Sequence, residues 1–144
     1  MKLLVVFDGS EGARAALREA TALVRETGAE VVILQVFNPL IDAADVVAPN
    51  TEAAMVTVTE RARSAMATAM AHVGLEPNEA AREIREIRHG EDVAEAIERV
   101  AAEQDATMIV ISSRRVVSIA GMVLGSVTQH VLRHAPCPVL VVRE

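Results

Sequence analysis

The sequence predicts an α/β fold, with a parallel β-sheet covered by helices on both faces. Four continuous apolar runs, rich in β-branched residues, predict strands buried on both sides, at 3–7, 31–37, 108–111 and 139–142. Segments with the 3.6-residue period of amphipathic helices lie between these runs. Alternating strands and helices produce right-handed crossovers and a mostly parallel sheet.

The helices are predicted from apolar stripes and end signals. Ser10 stands at the N-cap position of the first helix and Gly28 at its C′ position. Further stripes predict helices over 55–73, 93–101 and 125–134. In the third helix Glu95 and Arg99 are four residues apart, which predicts an ion pair on its exposed side.

Two segments fit the alternation less well. Residues 82–88 follow neither period cleanly, but they fall between two helices, and their many charges predict a strand at a sheet edge. Residues 38–50, bounded at either end by Pro39 and Pro49, are predicted as an irregular stretch that exposes Val46 and Val47. This stretch could be a lid or part of an interface.

Composition narrows the class of protein to a single domain over residues 1–144. The net charge of −6, with two Phe and no Tyr or Trp, argues against a nucleic-acid partner. No apolar run is long enough to cross a membrane, and the N-terminal run before Asp8 is too short for a secretory signal. With Cys137 as the single cysteine, between Pro136 and Pro138, we expect a cytoplasmic protein and a small buried thiol rather than a nucleophile.

Metal binding is not expected from the sequence. His130 and His134 have the i, i+4 spacing of a zinc pair, but Val131 stands where the metalloprotease helix motif has Glu. No third ligand lies nearby in the sequence. A histidine at a helix C-terminus is also explained by the helix dipole.

A candidate anion site lies where the last helix begins. The chain has no Walker A motif and no G-x-G-x-x-G, but Gly125 and Ser126 open a helix whose free N–H groups suit a phosphate. Ser126 acting only as an N-cap explains the same residues, so both interpretations stay open. The first and fourth strands are expected to be neighbours, so their exits, at 8–10 and 111–115, should flank the site.

Three segments carry a resemblance to a known family. Val-Phe-Asp-Gly-Ser at 6–10, Gly-Glu-Asp-Val-Ala-Glu-Ala-Ile at 90–97, and Leu-Gly-Ser-Val at 124–127 followed by His-Ala-Pro-Cys-Pro-Val-Leu-Val-Val at 134–142 resemble the universal stress proteins over essentially the whole chain. The resemblance implies a five-stranded parallel sheet in the order 3-2-1-4-5. It also implies a homodimer formed by antiparallel pairing of the last strand, at Val139, Leu140, Val141 and Val142.

The same resemblance implies an altered nucleotide site. ATP-binding members carry G-x-x-G, nine residues, then G-[ST], and this chain has Ser112 and Arg115 in place of the first two glycines. The implied contacts are Asp8, Gly9, Ser10, Val36, Ser112, Arg114, Arg115, Gly125, Ser126 and Val127. Loss of glycine hinders close backbone approach to phosphates, whereas two arginines can bind phosphate directly. Residues 118–121 resemble members that favour cyclic AMP, which carries one phosphate.

Three functions follow, in order of preference. The first is a stress-response regulator that binds ATP (with Mg²⁺) or cyclic AMP. The second is a dimeric interaction protein that holds no nucleotide and binds an unidentified protein partner. The third is a slow ATPase. It is ranked last because no general base is evident near residues 112–126, where ATP-binding members carry the glycine motif that holds the phosphates.

Overall fold

The computed structural model describes residues 1–113, 116–118 and 121–143. In chain order the elements are β1 (Lys2–Val6), α1 (Glu11–Thr27), β2 (Glu30–Phe37), α2 (Pro39–Asp42), α3 (Thr51–His72), β3 (Ala80–Glu86), α4 (Val93–Glu103), β4 (Met108–Ser113), β5 (Val116–Ser118), β6 (Gly121–Val123), α5 (Ser126–His134) and β7 (Val139–Arg143).

Five of these strands form one parallel sheet. Its order is β3-β2-β1-β4-β7, which is the predicted order 3-2-1-4-5 once only the strands of the main sheet are counted. Each neighbouring pair is parallel; for example, Leu4 lies opposite Val32 of β2 on one side and Ile109 of β4 on the other. The predicted fold class is therefore confirmed.

Successive residues of the strands face two separate cores. Leu3 and Val5 pack with α1 and α3 on one face, in a cluster that includes Leu17 and Met66. Leu4 packs on the opposite face with α4 and α5, in a cluster that includes Ile97 and Val131. Burial of both faces explains why the strands are continuously apolar rather than alternating in polarity.

The charged third strand lies at an edge of the sheet, as predicted, but its bounds differ. It runs from Ala80 to Glu86, two residues earlier than the predicted segment, and pairs with β2 alone. The hydrophobic pattern did not give the correct bounds, because within this strand only Ala80 is buried and the other residues are half-buried or exposed. Arg85 holds the edge to α4 through an ion pair with Glu103 at 3.0 Å.

The structure differs from the sequence analysis at three places. Residues 38–50 contain the short helix α2, because Pro39 presets its first turn and the Asn38 side chain caps it. Residues 116–118 and 121–123 form two short antiparallel strands, β5 and β6, which the sequence analysis did not predict. Val46 is half-buried against Phe37 rather than exposed, whereas Val47 is fully exposed as predicted.

The predicted Glu95–Arg99 ion pair is also not formed within the described ion pairs. Arg99 turns instead to Glu91, with its Nε 2.9 Å from one carboxylate oxygen, and to Glu103 at 3.3 Å. Glu91 offers both oxygens to the guanidinium, and such bidentate geometry is stronger than a single exposed contact. Within residues 1–113, 116–118 and 121–143, none of the helices combines the length and apolar character that a membrane crossing needs.

Candidate functional site

A cleft of about 670 Å³ opens at the carboxyl ends of β1, β2 and β4. The strand order reverses at this point: from β1 the chain passes to β2 and β3 on one side of the sheet, and later to β4 and β7 on the other side. Ligands of open α/β sheets bind at such points, and the volume suits a small molecule. The cleft collects six of the predicted contacts: Asp8, Val36, Ser112, Gly125, Ser126 and Val127.

The exit of β1 is shaped by a tight turn. Gly9 has φ +82°, a conformation that favours glycine, and the Ser10 N–H donates to Asp8 Oδ1 at 2.9 Å. The Ser10 hydroxyl accepts from the Ala13 N–H and caps α1, as predicted. Of the predicted contacts in this turn, Asp8 lines the cleft, whereas Gly9 lines two neighbouring clefts and Ser10 serves the helix.

The exit of β2 forms the adjacent wall. Val36 is half-buried and packs against the α4–α5 core, so it offers the cleft an apolar surface. Gln35 also lines the cleft, and its Oε1 atom is buried without a hydrogen-bond partner among the described residues. A buried amide oxygen of this kind is costly unless a donor satisfies it, so Gln35 is a candidate contact that the sequence analysis missed.

The N-terminus of α5 lies at the opposite end of the cleft. Its N-cap is Gly125, which has no side chain with which to cap the helix, whereas α1, α2, α3 and α4 all have a side-chain cap. Ser126 is the first residue inside the helix and is exposed. The interpretation of Ser126 as a simple N-cap is therefore wrong. Among the described residues no side chain caps the first-turn N–H groups, which lie at the cleft.

A buried hydrogen bond fixes this helix end to the sheet. Thr128 Oγ1 donates to the carbonyl oxygen of Ser112 at 3.0 Å, and Thr128 itself is buried. The last residues of β4 and the start of α5 are thereby held together. Ser112 lines the cleft, while Arg114 and Arg115 lie outside the described residues.

The third side of the cleft comes from α2. Asn38, Ile41 and Asp42 line it, although residues 38–50 were left undecided between a lid and an interface. The Asn38 N–H donates to Asp42 Oδ2 at 2.6 Å, which closes the short helix on itself. Among the described residues that line the cleft, the charged side chains are the carboxylates of Asp8 and Asp42. Such a surface suits hydroxyl and amine donors at this end, away from the α5 N-terminus.

The last strand, β7, is an edge of the sheet. Among the described strands it pairs with β4 alone, and Val139, Leu140, Val141 and Val142 are all half-buried. Ile109 donates its N–H to the carbonyl of Pro138 at 2.9 Å. Since backbone groups alternate in direction along a strand, the N–H groups of Val139 and Val141 point to the open edge.

The surroundings of Cys137 are consistent with the predicted packing role. It is a free thiol, half-buried against the α4–α5 core. Burial raises its pKa, so the reactive thiolate is disfavoured at neutral pH.

Comparison with known proteins gives the family. The model of the universal stress protein family matches residues 1–143. A universal stress protein of Thermus aquaticus is 34% identical over 141 residues, which cover 98% of this chain and 97% of that protein. The solved structure of UspA from Lactobacillus plantarum has a TM-score of 0.74 at 25% identity, covering 99% of this chain and 97% of its own.

Two solved structures of lower identity contain ligands. One is a universal stress protein in complex with cAMP, at 21% identity and TM-score 0.65, covering 99% of this chain and 96% of its own. The other, from Archaeoglobus fulgidus, is in complex with dAMP, at 22% identity and TM-score 0.64, covering 98% of this chain and 96% of its own. By themselves these two establish the shared fold. The sheet order, the cleft and the match over residues 1–143 together show that this chain belongs to the universal stress protein family.

Proposed function

We propose that this protein is a stress-response regulator that binds an adenine nucleotide in the cleft between β1, β2 and α5. The observation that carries the proposal is the N-terminus of α5, which lies at the cleft at Gly125 and Ser126 and has no side-chain cap among the described residues. Helix N-termini with free N–H groups and a positive dipole end bind phosphate. The cAMP and dAMP complexes of two family structures support an adenine ligand.

Apolar, acidic and anion-binding groups follow one another along the cleft, in the order that the base, sugar and phosphate of a nucleotide require. The apolar wall at Val36 and Ile97 suits a base, and the carboxylate of Asp8 suits ribose hydroxyls or an amine. The α5 N-terminus receives the phosphate end. Ser112 and Arg115 replace two glycines that would let the backbone approach phosphates closely, so we expect a ligand with a single phosphate to be favoured over ATP.

The test is calorimetric titration of nucleotide-free protein with ATP, ADP and cyclic AMP. Gly125 has ordinary extended geometry and open space around the position of a Cβ, so Gly125→Glu should fold while placing bulk and negative charge at the anion site. Val47→Glu, at a fully exposed position, adds the same charge elsewhere. We expect binding that is lost in Gly125→Glu and retained in Val47→Glu. Equal binding by both variants would refute the site.

A dimeric interaction protein without nucleotide is the second candidate. Its specific support is the loss of two loop glycines together with the exposed apolar side chains Leu40 and Ile41 on α2. No heat with any of the three nucleotides, on protein shown by mass spectrometry to be nucleotide-free, would favour it. In either case we propose a homodimer joined along the open edge of β7, whose exposed N–H groups would otherwise template aggregation.

A further inference from the structure

Three ionisable side chains meet on the outside of the α4–α5 pair, away from the residues that line the cleft. His130 Nδ1 lies 2.8 Å from Glu98 Oε1, and the rings of His130 and His134 are 4.4 Å apart between centroids with a tilt of 35°. One candidate ligand atom from each of the three residues lies within 4.8 Å of the others. The sequence analysis expected no metal site because no third ligand stood nearby, but helix packing brings Glu98 across from 32 residues away.

The hydrogen bonds decide which ring nitrogens are available. An ionised carboxylate only accepts, so His130 Nδ1 carries the hydrogen and donates to Glu98. A backbone carbonyl also only accepts, so His134 Nδ1 donates to the carbonyl oxygen of His130 at 3.0 Å. In the neutral rings both Nε2 atoms therefore keep their lone pairs, which is the state in which imidazole binds a metal.

The surroundings match those of known imidazole sites. Metal-bound histidines commonly donate their second nitrogen to a carboxylate or a backbone carbonyl, which fixes the tautomer and the ring orientation. His130 donates to a carboxylate and His134 to a backbone carbonyl. Two nitrogens bound to one ion at about 2.1 Å lie at most about 4 Å apart. One nitrogen of each ring lies within 4.8 Å of the other, and rotation of the exposed His134 side chain can bring its Nε2 atom to the same ion as that of His130.

We propose that His130 and His134 bind a divalent transition-metal ion through their Nε2 atoms, with Glu98 as the positioning residue that orients His130 and offsets the charge. Imidazole favours Zn²⁺, Cu²⁺ and Ni²⁺ over Mg²⁺ and Ca²⁺, which prefer oxygen ligands. The Glu98 side chain is 16% exposed and that of His130 34% exposed, so an ion can enter from solvent while its carboxylate partner stays largely shielded. The hydrogen bond between Glu98 and His130 joins α4 to α5, so the site lies on the two helices that carry Ile97 and Ser126 to the cleft.

The chain supplies a matched control. His72, near the end of α3, also bonds its Nδ1 to the carbonyl four residues earlier, at 2.9 Å from Thr68, but it belongs to no such group among the described residues. The experiment titrates untagged, chelator-treated protein with Zn²⁺ and Ni²⁺ by calorimetry, and follows the melting temperature with and without Zn²⁺. The variants are His134→Gln, Glu98→Gln and the control His72→Gln.

We expect one ion per chain and a melting temperature that rises with Zn²⁺ but not with Mg²⁺. His134→Gln should abolish both effects, Glu98→Gln should weaken binding by about 10- to 100-fold, and His72→Gln should leave binding unchanged. His134 is exposed, so its variant should fold, and its melting temperature without metal checks this. Equal affinity in His134→Gln and the unaltered chain, loss of binding in His72→Gln, or no Zn²⁺ binding at all would overturn the proposal.

Discussion

The ion pair between Glu91 and Arg99 should stabilise the fold, and the size of its contribution to the folding free energy can be worked out from its geometry. Arg99 donates to both oxygens of Glu91, at 2.9 and 3.0 Å, and the Arg88 N–H donates to the same carboxylate at 3.0 Å. The hydrogen bonds from Arg99 lower the pKa of Glu91 to about 2, against a raising effect of burial and with further lowering by the Arg88 N–H. The side chains are 13% and 15% exposed, so the pair is shielded more than most surface pairs.

The perturbation is Glu91→Gln, which removes the charge but keeps the shape. A fall of the pKa from 4.5 to about 2 corresponds to at most about 3 kcal/mol of folding free energy, and residual solvent screening reduces this to about 1–2 kcal/mol. For a chain of this size the melting temperature should fall by about 3–6 °C at pH 7. Glu95→Gln is the matched control because Glu95 is exposed and does not pair with Arg99 among the described ion pairs, so it should change stability by under about 0.5 kcal/mol.

The pH dependence has a definite sign. A carboxylate whose folded pKa is lowered adds stability above its unfolded pKa of 4.5 and loses it as the pH falls toward 2. The difference in melting temperature between the unaltered chain and Glu91→Gln should therefore be constant above about pH 5.5 and shrink to about half or less near pH 3. Differential scanning calorimetry from pH 7 to pH 3 measures it. A difference that stays the same at pH 3, or an equal loss in Glu95→Gln, would refute the reasoning.

Three further outcomes are expected. Ser10→Ala should cost about 1 kcal/mol in urea unfolding, because Ser10 caps α1, whereas Ser126→Ala should cost under about 0.5 kcal/mol; equal losses would contradict the capping assignment. Val141→Pro, which removes an N–H at the open edge of β7, should give a folded monomer in sedimentation velocity, and a persistent dimer would exclude this interface. Alkylation of Cys137 at pH 7 should be slower in the native protein than in urea, since burial raises its pKa; equal rates would disprove the shielding.

The fold could be predicted from the sequence because both faces of the sheet are buried. Continuous apolar strands such as 31–37, and the cap signals at Ser10 and Gly28, report local requirements that each residue meets within its own element. The edge strand β3 was misplaced by two residues since its half-exposed side chains carry little periodic signal. The strands β5 and β6 were missed because three-residue strands show almost no pattern.

The site was predicted only in part. Gly125 was identified as the start of a helix that suits a phosphate, and Asp8 and Val36 were identified through the family resemblance; all three line the cleft. Gln35 and Asp42 were missed, because nothing in the neighbouring sequence marks a strand residue whose amide is buried without a partner or a short helix that closes one wall.

The sequence by itself determined the four apolar strands, the main helices and the family, because periodicity, capping and motif residues act over a few positions of the chain. Only the tertiary structure decided which side chains meet. Arg99 pairs with Glu91 rather than with Glu95, Gly125 rather than Ser126 occupies the N-cap position of α5, and Glu98 on α4 contacts His130 on α5. The physical reason is that ion pairs, helix ends and metal ligands depend on distances set by the packing of separate elements, which spacing along the chain does not specify.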